Sequence, residues 1–393
     1  MVALLKPADQ AAPPPAGRSA EPLSLRDRWC AWRDRLLADR RFQRWAARFP
    51  LTRPIARRRA AGLFDLVAGF VYSQVLLACV RLRLFEVLAE GPQTLAELAS
   101  RLQLPEDGAH RLLAAAVSLD LVQRRSGGRY GLGPLGAPLV GDTAIAAMVE
   151  HHAALYADLR DPVALLRGNS EATALSRYWP YAGDQPGALT NERAAEYSAL
   201  MSASQPLVAE QVLAAYPLAR HRCLLDVGGG EGTFLKAVAA HTPDLRLMMF
   251  DLPPVAERAR AQLAEAGLAP RATAFGGSFF DDPLPTGADI VTLVRVLFDH
   301  SDARALAILQ AARRALPPGG TLLVAEPMAG TPGAEAMGDA YFGFYLLAMG
   351  KGRSRSAADL TQLLRSAGFV QARLLPTPMP LQTQVLVAHA PPA

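Results

Sequence analysis

Residues 224–232 read LLDVGGGEG, and this stretch decides the fold class of the chain. A short apolar run ends at Val227, and the glycines that follow permit positive φ angles and let a backbone approach a ligand closely. A helical pattern then begins near Phe234, and the first N–H groups of a helix have no partner within it. This order of strand, glycine loop and helix predicts a site for a nucleotide or nucleoside.

Asp251 supports the same prediction. It ends the next apolar run, about twenty residues after the loop, where a carboxylate can accept hydrogen bonds from both hydroxyls of a ribose. Enzymes that bind NAD share this feature. The glycine spacing GxGxG, in place of GxGxxG, favours S-adenosylmethionine, but Asp251 by itself supports a nucleoside without deciding its type.

The apolar runs that follow indicate an α/β domain. They alternate with helical segments and lie at 245–251, 290–294, 321–326 and 385–387. Strands separated by helices predict a parallel, doubly wound, Rossmann-like sheet. We expect this domain to span residues 205–393.

The region before it is predicted to be mainly helical. Thr94 lies three residues before Glu97, which is a capping-box pattern. A second helix ends near Leu121, and two short strands follow around the glycine turn at 126–128. Two helices followed by a hairpin predict a winged-helix domain over residues 61–142, joined to the α/β domain by a helical connector over 143–204.

Composition excludes several classes of protein. Of the 393 residues, 51% are hydrophobic, so wholesale disorder is excluded, and the three cysteines are too far apart for a disulfide scaffold or a zinc cluster. We therefore expect a reducing compartment and no metal. The net charge is +5, but residues 26–59 contain twelve Arg and three Asp, so the remainder carries about −4. Nucleic-acid binding by the whole protein is disfavoured.

Residues 1–60 are predicted to form an arm, rich in proline up to residue 22 and basic and aromatic after it. Trp29, Trp32 and Trp45 are interleaved with arginines, which suits an amphipathic helix on an anionic membrane. A helix that packs its aromatic face on the next domain, or one that binds nucleic acid, is the alternative. Residues 63–80 are apolar enough for a membrane span but contain Asp65, so a buried helix is the other interpretation.

Four longer segments carry a family resemblance. From Phe64 onward the chain resembles the class I, S-adenosylmethionine-dependent O-methyltransferases that have an N-terminal winged-helix dimerisation domain. Within that family it is similar to the members that methylate carotenoids in photosynthetic bacteria. The matching segments are LLDVGGGEGTFLKAVAAHTPDLRLMMFDLP (224–253), GSFFDDPLP (277–285), RVLFDHSDARALAILQAARRALPPGGTLLVAEP (295–327) and MGKGRSRSAADLTQLLRSAGF (349–369).

The resemblance implies a partner, a cofactor and a location. We expect a homodimer that uses S-adenosylmethionine and acts on a tertiary hydroxyl of a hydrophobic carotenoid. We expect a cytoplasmic protein in peripheral contact with the photosynthetic membrane through residues 26–59. An aromatic polyketide or a bacteriochlorophyll precursor is the alternative acceptor.

The resemblance also implies which residues form the cofactor site. Asp226, Gly228 and Gly230 line the methionine end of the cofactor. Asp251 binds the ribose, and Leu252 packs on the adenine. Ser278 stands where the family usually has an aspartate, so the contact with the adenine amine is expected to be weaker. The full set of cofactor-binding residues is Asp226, Gly228, Gly230, Asp251, Leu252, Ser278, Phe279 and Arg295.

The catalytic position departs from the family pattern. Relatives that act on phenols have a histidine as general base where this chain has Phe298, and a phenyl ring cannot accept a proton. Three hypotheses stay open: His300 acts instead; alignment of the reacting atoms suffices; or catalysis has been lost. We favour alignment with His300 assisting, and the resemblance implies that Glu326 matches a family carboxylate that flanks the base. The acceptor pocket is expected to contain Met201, Phe298, His151, Phe342 and Tyr345.

A different class of function is a DNA-binding ligand sensor built on the winged helix. The candidate recognition helix, residues 109–121, carries only His110 and Arg111 as basic residues. Recognition helices usually present several contacts to phosphates and bases. The apolar character of this helix favours packing in a dimer, and we expect no nucleic-acid partner.

Overall fold

The computed structural model of the chain describes residues 24–168, 172–178 and 191–393. The proline-rich segment 1–22 lies outside the described residues, as does part of the predicted connector. The chain divides into two units, residues 1–75 and 76–393.

The described part of the first unit is helical. Ser24 begins the first helix by accepting the N–H of Asp27 at 3.1 Å, and Asp39 begins the second by accepting the N–H of Phe42 at 2.9 Å. Such side-chain caps satisfy N–H groups that have no partner in the helix. The helices are α1 (Leu25–Ala38), α2 (Arg40–Arg48) and α3 (Arg53–Arg81). Residue 60, the predicted end of the arm, therefore lies within α3.

The apolar part of α3 is exposed. Its most apolar 18-residue window has a mean hydropathy of 1.9, and 6% of that window is buried. Leu66 and Phe70 are 83% and 66% exposed. By length and composition alone α3 could cross a membrane.

The second unit begins with short helices and a small antiparallel sheet of order β1-β3-β2. The predicted capping box is present, since Glu97 Oε2 accepts the Thr94 N–H at 2.7 Å and Thr94 Oγ1 accepts the Glu97 N–H at 3.3 Å. The predicted pair of helices and the hairpin are present, and β1 is an addition. The elements are α4 (Leu84–Ala89), β1 (Gln93–Thr94), α5 (Leu95–Arg101), α6 (Glu106–Ser118), β2 (Val122–Arg124) and β3 (Arg129–Leu132).

The next described elements are helices that lead to the large sheet. Asp142 caps the first of them by accepting the N–H groups of Ala144 and Ile145, both at 3.0 Å, so the predicted boundary at 142 coincides with the start of a helix. The predicted boundary at 204 lies inside the last of them. The helices are α7 (Thr143–Asp158), α8 (Pro162–Leu166), α9 (Ala174–Tyr178) and α10 (Asn191–Ala215).

Seven strands of the described residues form the large sheet, in the order β6-β5-β4-β7-β8-β10-β9. The first strand, β4, lies between β5 and β7, and such a change of direction in strand order is where α/β sheets bind ligands. The strands are β4 (Cys223–Val227), β5 (Arg246–Asp251), β6 (Ala272–Gly276), β7 (Ile290–Val294), β8 (Thr321–Glu326), β9 (Val370–Leu375) and β10 (Gln384–His389). The helices are α11 (Thr233–His241), α12 (Pro253–Glu265), α13 (Asp302–Ala315), α14 (Phe342–Met349) and α15 (Ala357–Ser366).

The prediction of an all-parallel sheet is wrong at one edge. Strands β4 to β8 pair in parallel, whereas β10 is antiparallel to both β8 and β9. The connection from β9 to β10, residues 376–383, is too short for the crossover of a dozen or more residues that parallel neighbours need. The sheet is therefore mixed.

The core lies on both faces of this sheet. All five residues of β4 are buried. Leu225 packs in one core with Ile308 of α13, while its neighbour Leu224 packs in another with Leu235 of α11. Successive strand residues face opposite sides of a sheet, so burial of both sides requires helices on both sides. This two-sided packing leaves the carboxyl ends of the parallel strands to form the site.

Candidate active site

The glycine loop after β4 has the predicted geometry. Gly228 has a φ of 73° and Gly230 a φ of 59°. The Gly228 N–H donates to the Phe250 carbonyl of β5 at 2.8 Å. A Cβ at Gly228 would lie 2.8 Å from Cγ2 of Val296, so both conformation and space favour glycine there.

Asp251 lies in direct contact with this loop. Its Oδ2 accepts the Gly230 N–H at 2.8 Å, and its Oδ1 accepts the Leu252 N–H at 2.7 Å. Burial raises the pKa of the Asp251 carboxyl to about 6, although these two hydrogen bonds act in the opposite direction. The structure thus brings together the two halves of the predicted cofactor site.

Asp226 lies behind the loop and does not line the pocket as predicted. It is 1% exposed, and its Oδ1 accepts the Thr292 hydroxyl at 2.7 Å. Its Oδ2 has no hydrogen-bond partner among the described residues and would lie 2.7 Å from a Cβ at Gly229. Burial raises the pKa of this carboxyl to about 7. Asp226 therefore supports the loop from the interior.

The other predicted cofactor residues lie around one pocket. Four elements contribute beside the loop: α10, the start of α12, and the ends of β6 and β7. The predicted residues that line this pocket are Met201, Gly228, Gly230, Asp251, Leu252, Ser278, Phe279, Arg295 and His300. We call it the cofactor pocket.

Ser278 has acidic neighbours that the sequence argument missed. Its hydroxyl donates to Asp281 at 2.8 Å, and its N–H donates to Asp282 Oδ2 at 2.9 Å. Carboxylates three and four residues later thus lie against the position where the family usually has an aspartate.

Arg295 connects the end of β7 to α10. Its φ is 58°, and its N–H donates to the Ala325 carbonyl at 2.7 Å. Its guanidinium donates to the Ser204 hydroxyl at 2.8 Å and to the Met201 carbonyl at 3.1 Å. Arg295 lines the cofactor pocket, and these bonds show that it also holds the α10 wall in place.

His300 packs against the rings that the resemblance assigns to the adenine side. Its imidazole lies edge-on to Phe279 and Phe280, with centroids 5.7 and 5.6 Å apart. Burial, together with the charges of Arg304 and Arg355, lowers the pKa of His300 to about 4. His300 also lines the cofactor pocket, and its role as general base stays a prediction.

Glu326 lies beneath the turn that carries Phe298. It is fully buried, and its Oε2 accepts the Phe298 N–H at 3.2 Å. Its Oε1 has no hydrogen-bond partner among the described residues. Burial raises the pKa of this carboxyl to about 7. Glu326 is thus placed to position the turn and does not line the cofactor pocket as a catalytic residue would.

The residues predicted for the acceptor pocket lie together. Phe298 is 9% exposed and packs with Tyr345, Met201 and Phe342, whose ring lies edge-on to Phe298 at 6.0 Å. His151 joins this group through Tyr345. We call these five residues the aromatic cluster. Met201 also lines the cofactor pocket, so the aromatic cluster borders that pocket through this residue.

Two histidines of α7 are paired with tyrosines. His151 Nε2 lies 2.7 Å from the Tyr345 hydroxyl, and His152 Nε2 lies 2.7 Å from the Tyr341 hydroxyl. Burial lowers the pKa of His151 to about 4 and raises that of Tyr341 to about 12. These neutral pairs connect α7 to residues 341–345 and hold the rings of Tyr341 and Tyr345 in place.

Sequence reasoning missed Asp299 and Gln205, which also line the cofactor pocket. Burial and the charge of Glu326 raise the pKa of Asp299 to about 8, while Arg295 lowers it. The available signal was an acidic residue in an apolar turn directly after a buried strand. Gln205 Oε1 is buried without a hydrogen-bond partner among the described residues.

Comparison with known proteins identifies the family. Residues 156–370 match the O-methyltransferase domain, and residues 64–142 match the O-methyltransferase dimerisation domain. The first match spans more than half of the chain. The chain belongs to the S-adenosylmethionine-dependent O-methyltransferase family. The enzyme therefore has a methyltransferase domain and an N-terminal dimerisation domain.

Two bacterial relatives are similar over most of the enzyme. A demethylspheroidene O-methyltransferase of Cereibacter sphaeroides is 48% identical, covering 91% of this chain and 94% of the relative. One of Rhodobacter capsulatus is 42% identical, covering 90% and 88%. Human N-acetylserotonin methyltransferase in complex with S-adenosylmethionine is a structural neighbour, with a TM-score of 0.69, 25% identity, and coverage of 85% and 98%.

The cofactor pocket of the enzyme fits S-adenosylmethionine. Its glycine loop allows close approach to the backbone, and Asp251 offers a carboxylate at the pocket wall. The unpartnered Gln205 Oε1 suits a donor such as an ammonium group. These features match the cofactor on which the family depends.

The DNA-binding alternative finds no support. The candidate recognition helix α6 begins with Glu106 and Asp107, and Arg111 is paired with Asp107 at 2.8 Å. Acidic residues at this end would repel phosphates. The region belongs to the dimerisation domain.

Proposed function

We propose that this O-methyltransferase methylates a tertiary hydroxyl of a hydroxylated acyclic carotenoid in the biosynthesis of spheroidene-type carotenoids. The supporting observation is the aromatic cluster beside the cofactor pocket, in which Phe298 stands where relatives acting on phenols have a histidine. An apolar wall suits a polyene because burial stabilises by about 25 cal/mol per Å² of apolar surface. The names of the two bacterial relatives agree with this acceptor.

The residues of the cofactor pocket bind and orient. The loop glycines and Asp251 hold the nucleoside, and Gln205 lies on the α10 side for the methionine end. S-adenosylmethionine, when bound, supplies a methyl group on a positively charged sulfur. Arg295 fixes α10 against the end of β7. The position of Met201, on the α10 wall of the pocket, is therefore fixed relative to the glycine loop.

The aromatic cluster excludes water and aligns the acceptor. Phe298, Phe342 and Tyr345 form an apolar wall, and the pair of His151 with Tyr345 fixes one of its rings. Fixing the hydroxyl oxygen in line with the methyl group lowers the barrier by several kcal/mol because little motion remains to be restricted. Orientation therefore supplies a large part of the catalysis in this proposal.

Methyl transfer from labelled S-adenosylmethionine tests the acceptor. We expect label in 1-hydroxylated acyclic carotenoids presented in detergent or vesicles, and none in simple phenols. The panel should include an aromatic polyketide and a bacteriochlorophyll precursor. Efficient labelling of either of these, with none in the carotenoids, would refute the proposed acceptor.

We further propose that the enzyme is a homodimer with a winged-helix dimerisation domain. Exposed apolar residues Leu66 and Phe70 lie within the segment that matches the dimerisation domain. Contiguous exposed apolar surface usually marks a contact with another chain. Sedimentation equilibrium should give a dimer for the wild type and for the control Leu374→Glu on β9, and a monomer for Leu66→Glu with Phe70→Glu.

Residues 26–59 are proposed to bind an anionic membrane surface on its cytoplasmic side, where carotenoid acceptors are dissolved. All twelve arginines of this segment are exposed. Trp29 stacks on Trp32 at 4.9 Å and Trp45 on Phe49 at 5.0 Å, and the three tryptophans stay 50–56% exposed. Basic residues near such a surface contribute about 1 kcal/mol each, and tryptophan suits the headgroup level.

Vesicle sedimentation tests the membrane contact. Arg44→Gln with Arg48→Gln removes two charges from the groove that these residues form with Trp45 and Phe49, so binding to anionic vesicles should fall about tenfold or more. The matched control, Arg314→Gln with Arg365→Gln, removes two exposed charges elsewhere and should bind like the wild type. Equal binding by the two variants would remove the membrane role.

A further inference from the structure

The turn that follows β7 is held by two buried side chains. Glu326 Oε2 accepts the N–H of Phe298 at 3.2 Å. Arg355, which is 1% exposed, donates from Nη1 to the Leu297 carbonyl at 2.8 Å and from Nη2 to the His300 carbonyl at 2.6 Å. Three backbone groups of a four-residue turn are thereby fixed, so the directions of its side chains are fixed as well.

Consecutive side chains of this turn have different surroundings. Phe298 packs in the aromatic cluster, whereas Asp299 lines the cofactor pocket. Met201 and Met349 belong to both. Asp299 therefore presents a carboxyl group to the cofactor pocket, which the aromatic cluster borders.

The surroundings of Asp299 make it a stronger base than an aspartate in water. Burial and the nearby charge of Glu326 raise its pKa to about 8, and Arg295 limits the rise. A carboxylate with a raised pKa holds a proton more firmly and accepts it more readily during a reaction. His300, the adjacent residue, has its pKa lowered to about 4 and is directed to Phe279 and Phe280.

We propose that Asp299 accepts the hydroxyl proton of the acceptor during methyl transfer, in place of the histidine that Phe298 replaces, and that Glu326 and Arg355 are positioning residues for it. This inference rests on the proposed function only in requiring a hydroxyl acceptor. It does not depend on which hydroxyl compound is methylated.

The reaction balances without a further reagent. The hydroxyl oxygen forms a bond to the methyl carbon as the bond between that carbon and sulfur breaks, and the electron pair stays on sulfur. The hydroxyl proton passes to the Asp299 carboxylate. A positive sulfur and a negative carboxylate become a neutral thioether and a neutral carboxylic acid, so no charge is left in the pocket. This late proton transfer suits an alcohol that is too weak an acid to ionise before attack.

The pH dependence follows from the groups that face Asp299. These are Glu326 from β8 and Arg295 at the end of β7, with His300 in the same turn. Arg304 of α13, Glu231 of the glycine loop and Asp251 of β5 lie on the wall of the same pocket. The carboxylate form is the active base, so kcat should rise with pH through a value near 8. Glu326→Gln removes a negative charge, so the same rise should move to lower pH.

Asp299→Asn tests the assignment directly. We expect kcat to fall about 100-fold or more, the usual range for loss of a general base. Affinity for S-adenosylhomocysteine, measured by calorimetry, should change less than about threefold. The exposed Asp244→Asn is the matched control for charge, and Glu335→Gln is the control for Glu326→Gln. Both should behave like the wild type.

Infrared titration provides a readout that needs no turnover. A protonated carboxyl band that disappears near pH 8 in the wild type should be absent in Asp299→Asn and should titrate at lower pH in Glu326→Gln. The assignment is overturned if Asp299→Asn retains wild-type kcat, or if its kcat still rises near pH 8. Should the wild type methylate phenols and not carotenoids, the proposed acceptor fails, and the same variants are then measured with the phenol.

Discussion

Arg355→Met should destabilise the enzyme far more than Arg353→Met, although both arginines bind the same carboxylate. Arg353 reaches Asp302 from a side chain that is 63% exposed, whereas the Arg355 side chain is 1% exposed. Arg355 also donates to the carbonyls of Leu297 and His300. Methionine fills similar space in each case but donates no hydrogen bond.

The expected magnitude follows from these contacts. Removing Arg355 leaves the buried His300 carbonyl without its donor, whereas the Leu297 carbonyl keeps the N–H of His300 at 3.1 Å. One unsatisfied buried carbonyl costs about 1–3 kcal/mol, so the free energy of unfolding should fall by about that amount. Arg353→Met removes one exposed ion pair, and such pairs contribute about 0–1 kcal/mol.

Urea unfolding followed by circular dichroism, at one fixed protein concentration, measures both variants. Fixed concentration is needed because association shifts apparent stability. We also expect Arg355→Met to lose activity at temperatures where it stays folded, since the turn that carries Asp299 is released. Surface substitutions usually change stability by less than about 0.5 kcal/mol. If the losses of stability of the two variants differ by less than this amount, the argument from burial is wrong.

Three further predictions concern the pocket, the cluster and pH. Gly228→Ala should weaken the binding of S-adenosylhomocysteine at least tenfold, measured by calorimetry. The control is Gly267→Ala, at a similar φ, where an added Cβ would meet nothing within 4 Å; it should only lower stability by about 1 kcal/mol. Equal cofactor affinities of the two variants would contradict this prediction. Tyr345→Phe removes the partner of His151 and should raise KM for the acceptor without changing cofactor affinity; an unchanged KM would exclude a role for the pair. The site's four buried carboxyl groups have raised pKa values, whereas burial lowers the pKa of five histidines, which hold protons in the unfolded chain below about pH 6.5. From about pH 7 to 8 the carboxyl groups dominate, so the folded apoenzyme binds more protons than the unfolded chain and its Tm should fall; a rising Tm over that range would refute these shifts.

The cofactor loop could be predicted because its signal is local. Gly228, Gly230 and Asp251 occupy fixed positions at the ends of adjacent strands, and adjacent parallel strands end at the same edge of a sheet. The position of Asp226 could not be predicted. It lies in a strand that is buried on both faces, so no alternation of polar and apolar residues shows which way its side chain points.

The role of the turn after β7 depends on distant residues. Phe298 bonds to Glu326, 28 positions later, and Leu297 to Arg355, 58 positions later. No local pattern contains these contacts, so the sequence directed attention to His300 by residue type alone. Asp299 emerged only when the turn's surroundings were known.

The antiparallel direction of β10 also could not be predicted from a local sequence pattern. Its apolar alternation predicts a strand but not its direction, which is set by the short connection from β9. The aromatic cluster could be predicted in part. The resemblance indicated Met201, Phe342 and Tyr345 as pocket residues, whereas the pairing of His151 with Tyr345 was visible only in the structure.

The place of β10 between β8 and β9 has a consequence for biosynthesis on the ribosome. Residues 384–389 are translated after every other strand, yet they separate β9 from the rest of the sheet. Until these residues leave the ribosome, β8 is an unpaired edge strand of the nascent chain. Such an edge can pair wrongly with strands of other chains. Messages truncated before codon 384 should therefore yield aggregates that engage chaperones, even though every residue of the cofactor pocket has already been made.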